Sequence, residues 1–143
     1  MLAQHRECRI VVVDDNQDAA DMLADLLVAQ GFPVRTAYCG EEALRIMDEF
    51  HPSVGILDIG LPDILGYDLA LAARRSVDAA MMLVAVTGWG SEKDVQRAFE
   101  AGFDFHVTKP ADPEDLIALI ESRCWDVQGS LRSGRVRGST TRA

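Results

Sequence analysis

The chain has no apolar stretch long enough to cross a bilayer. Its longest apolar runs are Ile10–Val13 and Ala79–Val86, the second diluted by alanines. A spanning helix needs about 20 apolar residues in a row. The N-terminus lacks the makings of a signal peptide too, because two aspartates follow Val13 at once. A cytoplasmic location is therefore the expectation. Cysteine is scarce: Cys8, Cys39 and Cys124 are widely spaced, with no CxxC pair. An odd count makes a poor disulfide framework, so three free thiols are expected. The histidines His5, His51 and His106 have no zinc-ligand spacing with them. Positive charge is also in short supply, with 14 basic residues against 23 acidic and a net charge of −9. That balance argues against nucleic acid as the main partner.

What remains is an ordinary globular composition, 48% hydrophobic and 26% charged over 143 residues. That length suits one compact domain. The charge is not uniform. Up to Gln128 there are 10 basic and 23 acidic residues, a net of −13. Residues 129–143 carry four arginines and no acid, among Gly, Ser and Thr. The expected division is one domain over residues 1–128 and a flexible basic tail over 129–143. The tail has three readings: a solubilising end, a docking segment for an acidic partner or nucleic acid, or an extension foreign to the domain.

Short apolar runs alternate with longer amphipathic ones. Ile10–Val13 is β-branched throughout, as in a strand buried on both faces. Ala19, Leu23, Leu26 and Leu27 then recur at helical spacing until Gly31. Residues 33–37 form a weaker strand whose proline suits a sheet edge. A helix follows over 41–50, a strand over 53–58 and a helix over 66–75. A strand over 81–87 leads to a helix capped by Ser91 and ended by Gly102. The fifth strand spans 103–108. Asp112 and Pro113 then open the last helix. Five βα units in series predict an α/β fold, a parallel sheet covered on both faces.

In such sheets ligands bind beyond the carboxyl ends of the strands. Those ends carry Asp14 and Asp15, then Asp58, then Thr87, then Lys109 followed by Pro110. Three anions so close repel one another. A pair of unit charges about 4 Å apart costs about 4 kcal/mol at an effective dielectric near 20. A hard divalent cation such as Mg²⁺ removes that cost while leaving positions for phosphate oxygens. An aspartate can act as a nucleophile toward phosphorus. A hydroxyl and an ammonium can hold the phosphoryl oxygens.

At this point the sequence resembles the receiver domain of two-component response regulators, including single-domain chemotaxis-type regulators and the receivers of hybrid histidine kinases. The matching stretches are Ile10–Asp15, Leu57-Asp-Ile-Gly-Leu-Pro62 with Gly66, Val86-Thr-Gly88, Ala101-Gly-Phe-Asp104 and Thr108-Lys-Pro110. They cover roughly residues 8–124. The resemblance implies a doubly wound, flavodoxin-like five-stranded sheet of order 2-1-3-4-5. It implies that Asp58 accepts a phosphoryl group from a histidine kinase or histidine phosphotransfer protein. Asp15 would ligate Mg²⁺ directly, Asp14 mainly through water, and Asp58 and the Gly60 carbonyl would complete the protein ligands. Lys109 would pair with the phosphoryl group or with Asp58, Thr87 would swing toward it, and a cis bond would precede Pro110. The output surface would be the fourth helix, fifth strand and fifth helix, about Ser91 to Arg123, contacting a downstream protein.

Three positions depart from the family pattern. His106 stands where Tyr or Phe is usual as the side chain that turns inward on activation. It is expected either to lie exposed on an edge strand or to serve as a pH-sensitive switch residue. Gly60 and Trp89 lie two residues after Asp58 and Thr87, positions that tune acyl-phosphate lifetime in the family. After Arg123 no helix-turn-helix would fit, so no DNA-binding domain is expected. The chain would be a stand-alone receiver or one cut from a hybrid kinase, and not an enzyme acting on outside substrates. One alternative is a Mg²⁺-dependent aspartyl phosphatase. That class wants a second aspartate where Gly60 stands. The other is a pseudo-receiver, which the full set of site residues disfavours.

Overall fold

The computed structural model describes residues 8–77, 80–88, 90–124 and 141–142. Six strands form one sheet: β1 (Ile10–Val13), β2 (Val34–Ala37), β3 (Val54–Asp58), β4 (Met82–Thr87), β5 (Phe105–Thr108) and β6 (Thr141–Arg142). Five helices connect or follow them: α1 (Gln17–Ala29), α2 (Gly40–Phe50), α3 (Gly66–Ser76), α4 (Glu92–Glu100) and α5 (Pro113–Cys124). The sheet order is β2-β1-β3-β4-β5-β6. The first five strands are parallel and give the expected order 2-1-3-4-5. The sixth was not expected: Thr141 and Arg142 pair antiparallel with His106 and Phe105 of β5. The rest of the basic segment lies outside the described residues.

The continuous apolar run of β1 is buried along its whole length, as are β3 and β4. β2 alternates and is only partly buried, which suits its place at one edge. Alternate residues of the strands feed two cores. Ile10, Val12, Ile56 and Val84 pack with Leu27 of α1 and with Leu116 and Ile120 of α5. Val11, Val13, Leu83 and Ala85 pack with Ile46 of α2, Leu69 of α3 and Ala98 of α4.

The helix boundaries follow local chemistry. The Asn16 side chain accepts a bond from Ala19 N at 3.1 Å and caps α1. Ser91 caps α4 through Asp94 N. Gly31 and Gly102, with φ of 101° and 106°, end α1 and α4 in a conformation open to glycine.

Cys8 and Cys124 are joined by a disulfide, with Cα atoms 5.8 Å apart. The expectation of three free thiols is therefore wrong for these two. The start of β1 and the end of α5 meet in one apolar cluster, across 116 residues of chain. Sequence spacing carries no trace of such a meeting. The odd cysteine left over is Cys39, half-buried and free.

Candidate functional site

Four strand ends build the site. Asp14 extends β1, its amide donating to Ala37 O at 3.1 Å. Asp58 closes β3 and faces Val86 across the sheet. Thr87 closes β4 opposite Thr108. The Lys109 amide then donates to Thr87 O at 2.8 Å, which seats the lysine stem beside β4. The Lys109–Pro110 bond is cis, as the resemblance implied.

The carboxylates of Asp14, Asp15 and Asp58 come together, with one oxygen of each within 4.8 Å of the others. Asp58 is 9% exposed, Asp14 half-buried and Asp15 exposed. Lys109 Nζ lies 3.4 Å from Asp58 Oδ2 and 3.5 Å from Asp14 Oδ2, bridging the two. Gly60 N donates to Asp58 Oδ1 at 3.2 Å, and Asn16 N to Asp14 Oδ1 at 3.0 Å. Burial pushes the Asp58 carboxyl above its usual range. The Gly60 amide and Lys109 pull it back down, and Asp14 pushes it up again. The donor set is oxygen only, anionic and open on the Asp15 side. That chemistry fits a hard divalent cation such as Mg²⁺ better than a soft one.

Thr87 is buried, 2% exposed, at the floor of the same edge. His106 is 0% exposed, which overturns the exposed edge-strand alternative. β6 covers the outer edge of β5 at His106, so this strand is not the open edge that five strands would leave. Gly60 is exposed, and nothing lies within 4 Å of where its Cβ would be. Trp89 lies outside the described residues.

One feature of the site escaped the sequence. A cavity of about 520 Å³ runs from Asp58 and Lys109 along α1 to Pro110 and Leu116. Met22 and Leu26 line it, and Met22 is 65% exposed. Helical spacing groups Leu26 with Leu23 and Leu27, yet Leu26 is 40% exposed and Leu27 fully buried, so periodicity alone hid this surface.

The profile of the response regulator receiver domain matches residues 10–121. The chain belongs to that family. This receiver is 34% identical over 115 residues to the DNA-binding response regulator MtrA of Mycolicibacterium smegmatis. The match takes in 80% of the receiver and 50% of MtrA, so the chain spans about half the length of that relative. Among solved structures, the CheY-like receiver domain protein of Methanospirillum hungatei superposes with a TM-score of 0.78 at 28% identity, over 85% of this chain and 97% of that one. A Burkholderia pseudomallei response regulator with a phosphorylated aspartic acid and a calcium ion gives 0.74 at 26% identity, over 85% and 71%. The chain is thus a two-component receiver domain with the flavodoxin-like fold. Among the described residues no helix is long and apolar enough to cross a membrane.

Proposed function

We propose that this receiver takes a phosphoryl group on Asp58 from the phosphohistidine of a histidine kinase or a histidine phosphotransfer protein. The observation that carries this reading is the Lys109 ammonium, 3.4 Å from Asp58 and 3.5 Å from Asp14, beside three converging carboxylates. An Asp58 carboxylate oxygen attacks phosphorus, the P–N bond breaks, and the imidazole leaves with the electron pair. Asp14, Asp15, Asp58 and the Gly60 carbonyl would hold Mg²⁺. When bound, the ion supplies neutralising charge for the phosphoryl oxygens. Lys109 adds a second positive charge, and the Thr87 hydroxyl donates to a phosphoryl oxygen.

Phosphorylation adds about two negative charges to Asp58. Thr87 moves toward them, and His106, one strand away, takes up the space behind it. Pro110 fixes the backbone that carries Lys109. The shift is read on α4, β5 and α5 by a downstream protein. Such a shift is only as large as the difference in interaction between the two states. The receiver catalyses its own phosphorylation and dephosphorylation only, and it works in the cytoplasm beside its phosphohistidine donor. The phosphatase alternative gains no support, because Gly60 offers no second carboxylate.

The test is incubation with Mg²⁺ and acetyl phosphate, read by intact mass. One phosphoryl group is expected on the wild type and none on Asp58→Asn. Equal labelling of both proteins would place the acceptor elsewhere.

A further inference from the structure

A bonded cysteine pair lies away from the carboxylates. Cys8 stands just before β1, and Cys124 is the last residue of α5. Their Cα separation of 5.8 Å lies within the span a disulfide needs. They are 5% and 8% exposed and pack in one cluster with Ile10, Leu116 and Ile120. We propose that Cys8–Cys124 is a reversible thiol–disulfide site that fastens the last turn of α5 to the root of β1.

The fold does not require the bond as a staple. Two full apolar clusters already cover both faces of the sheet, and domains of this size stand without disulfides. In a reducing compartment a disulfide is more often redox-sensing than structural. That step rests on the cytoplasmic placement given under Proposed function. The bond also ties two separate elements, since Cys124 stands on α5 and Cys8 just ahead of β1. A further tie from this end of α5 is an Arg123 guanidinium bond to Ala80 O at 2.6 Å, in an exposed setting.

The exchange partner is a dithiol. Its thiolate attacks Cys124 Sγ, the S–S bond breaks, and Cys8 leaves as a thiolate that takes up a proton. The second thiol of the dithiol attacks the mixed disulfide and releases Cys124, which is protonated in turn. Two electrons pass to the protein, and the dithiol becomes a disulfide. A disulfide oxidant runs the sequence in reverse. Because α5 forms part of the proposed output face, the thiol state sets how firmly that face is held.

The full chain is equilibrated with glutathione disulfide or with dithiothreitol, both without denaturant. It is then alkylated, counted by intact mass, and followed by amide exchange. One adduct, on Cys39, is expected after oxidation and three after reduction. Exchange in the last turn of α5 should rise about tenfold on reduction while β3 is unchanged. Cys39→Ser should keep the response. The double variant Cys8→Ser/Cys124→Ser should show the fast exchange in both buffers. Three adducts in both buffers would overturn the pairing. A single adduct in both would overturn reversibility, and unchanged exchange would overturn the hold on α5. Each reading can be repeated on Asp58→Asn, so a failure of phosphoryl transfer would leave this site standing or falling by itself.

Discussion

Asp63 shows how one side chain can order the rim of the site. Its carboxylate accepts from Gly40 N at 2.8 Å and from Glu41 N at 2.9 Å, at the start of α2. These two amide bonds, ahead of its own and the Ile64 amide, hold its carboxyl below the usual range. A lowered pKa contributes stability that is present above the unfolded value and lost as pH falls through the folded one. Asp63→Asn should therefore melt lower than wild type at pH 7, with the gap closing as pH drops below about 4. Thermal unfolding followed by circular dichroism from pH 7 to 3 checks this, and a constant gap would contradict it. His106 makes a different case. Its full burial means that His106→Ala should cost about 2–4 kcal/mol in denaturant unfolding, through the void it leaves. Phosphoryl labelling of Asp58 should survive that change, because His106 lies on the next strand but one and outside the carboxylate cluster.

The junction of β3 and α3 is held by a close approach of backbones. A Cβ on Gly66 would lie 2.7 Å from Ile59 Cα and 2.8 Å from Asp58 O, atoms that cannot swing aside. Gly66 N donates to Ile59 O at 2.8 Å, which draws the helix start against the strand end. Gly66→Ala should cost about 1–3 kcal/mol by overpacking. It should also slow the labelling of Asp58, whose carbonyl it pushes. Equilibrium unfolding together with the acetyl phosphate rate tests both effects. The parallel strands and helices were legible because their signals are local: Ile10–Val13 is apolar on both faces, and Ser91 and Gly102 bracket α4. The carboxylates were legible because strand ends in a parallel sheet share one edge. Burial of His106 was not, since β5 is too short for its alternation to tell an open edge from a covered one. The edge of β5 is paired by Thr141 and Arg142, in a segment of low apolar content. The Cys8–Cys124 bond was hidden for a related reason, as it joins the two ends of the fold.

At the scale of the whole molecule charge dominates. Up to Gln128 the chain carries a net −13, and three of those charges converge beside one ammonium. A cation that binds only the folded state must stabilise it by mass action. Mg²⁺ at about 100 times its Kd should add about 2.7 kcal/mol. Chelation should remove that increment, and Asp15→Asn should shrink it. Denaturant unfolding with and without Mg²⁺ measures the difference, and an increment kept in full by Asp15→Asn would move the cation elsewhere. The most direct test of the central claim is intact mass after Mg²⁺ and acetyl phosphate, with wild type and Asp58→Asn side by side. The account predicts one added phosphoryl group on the wild type, lost on Asp58→Asn. An unmodified wild type, or a labelled Asp58→Asn, would contradict it.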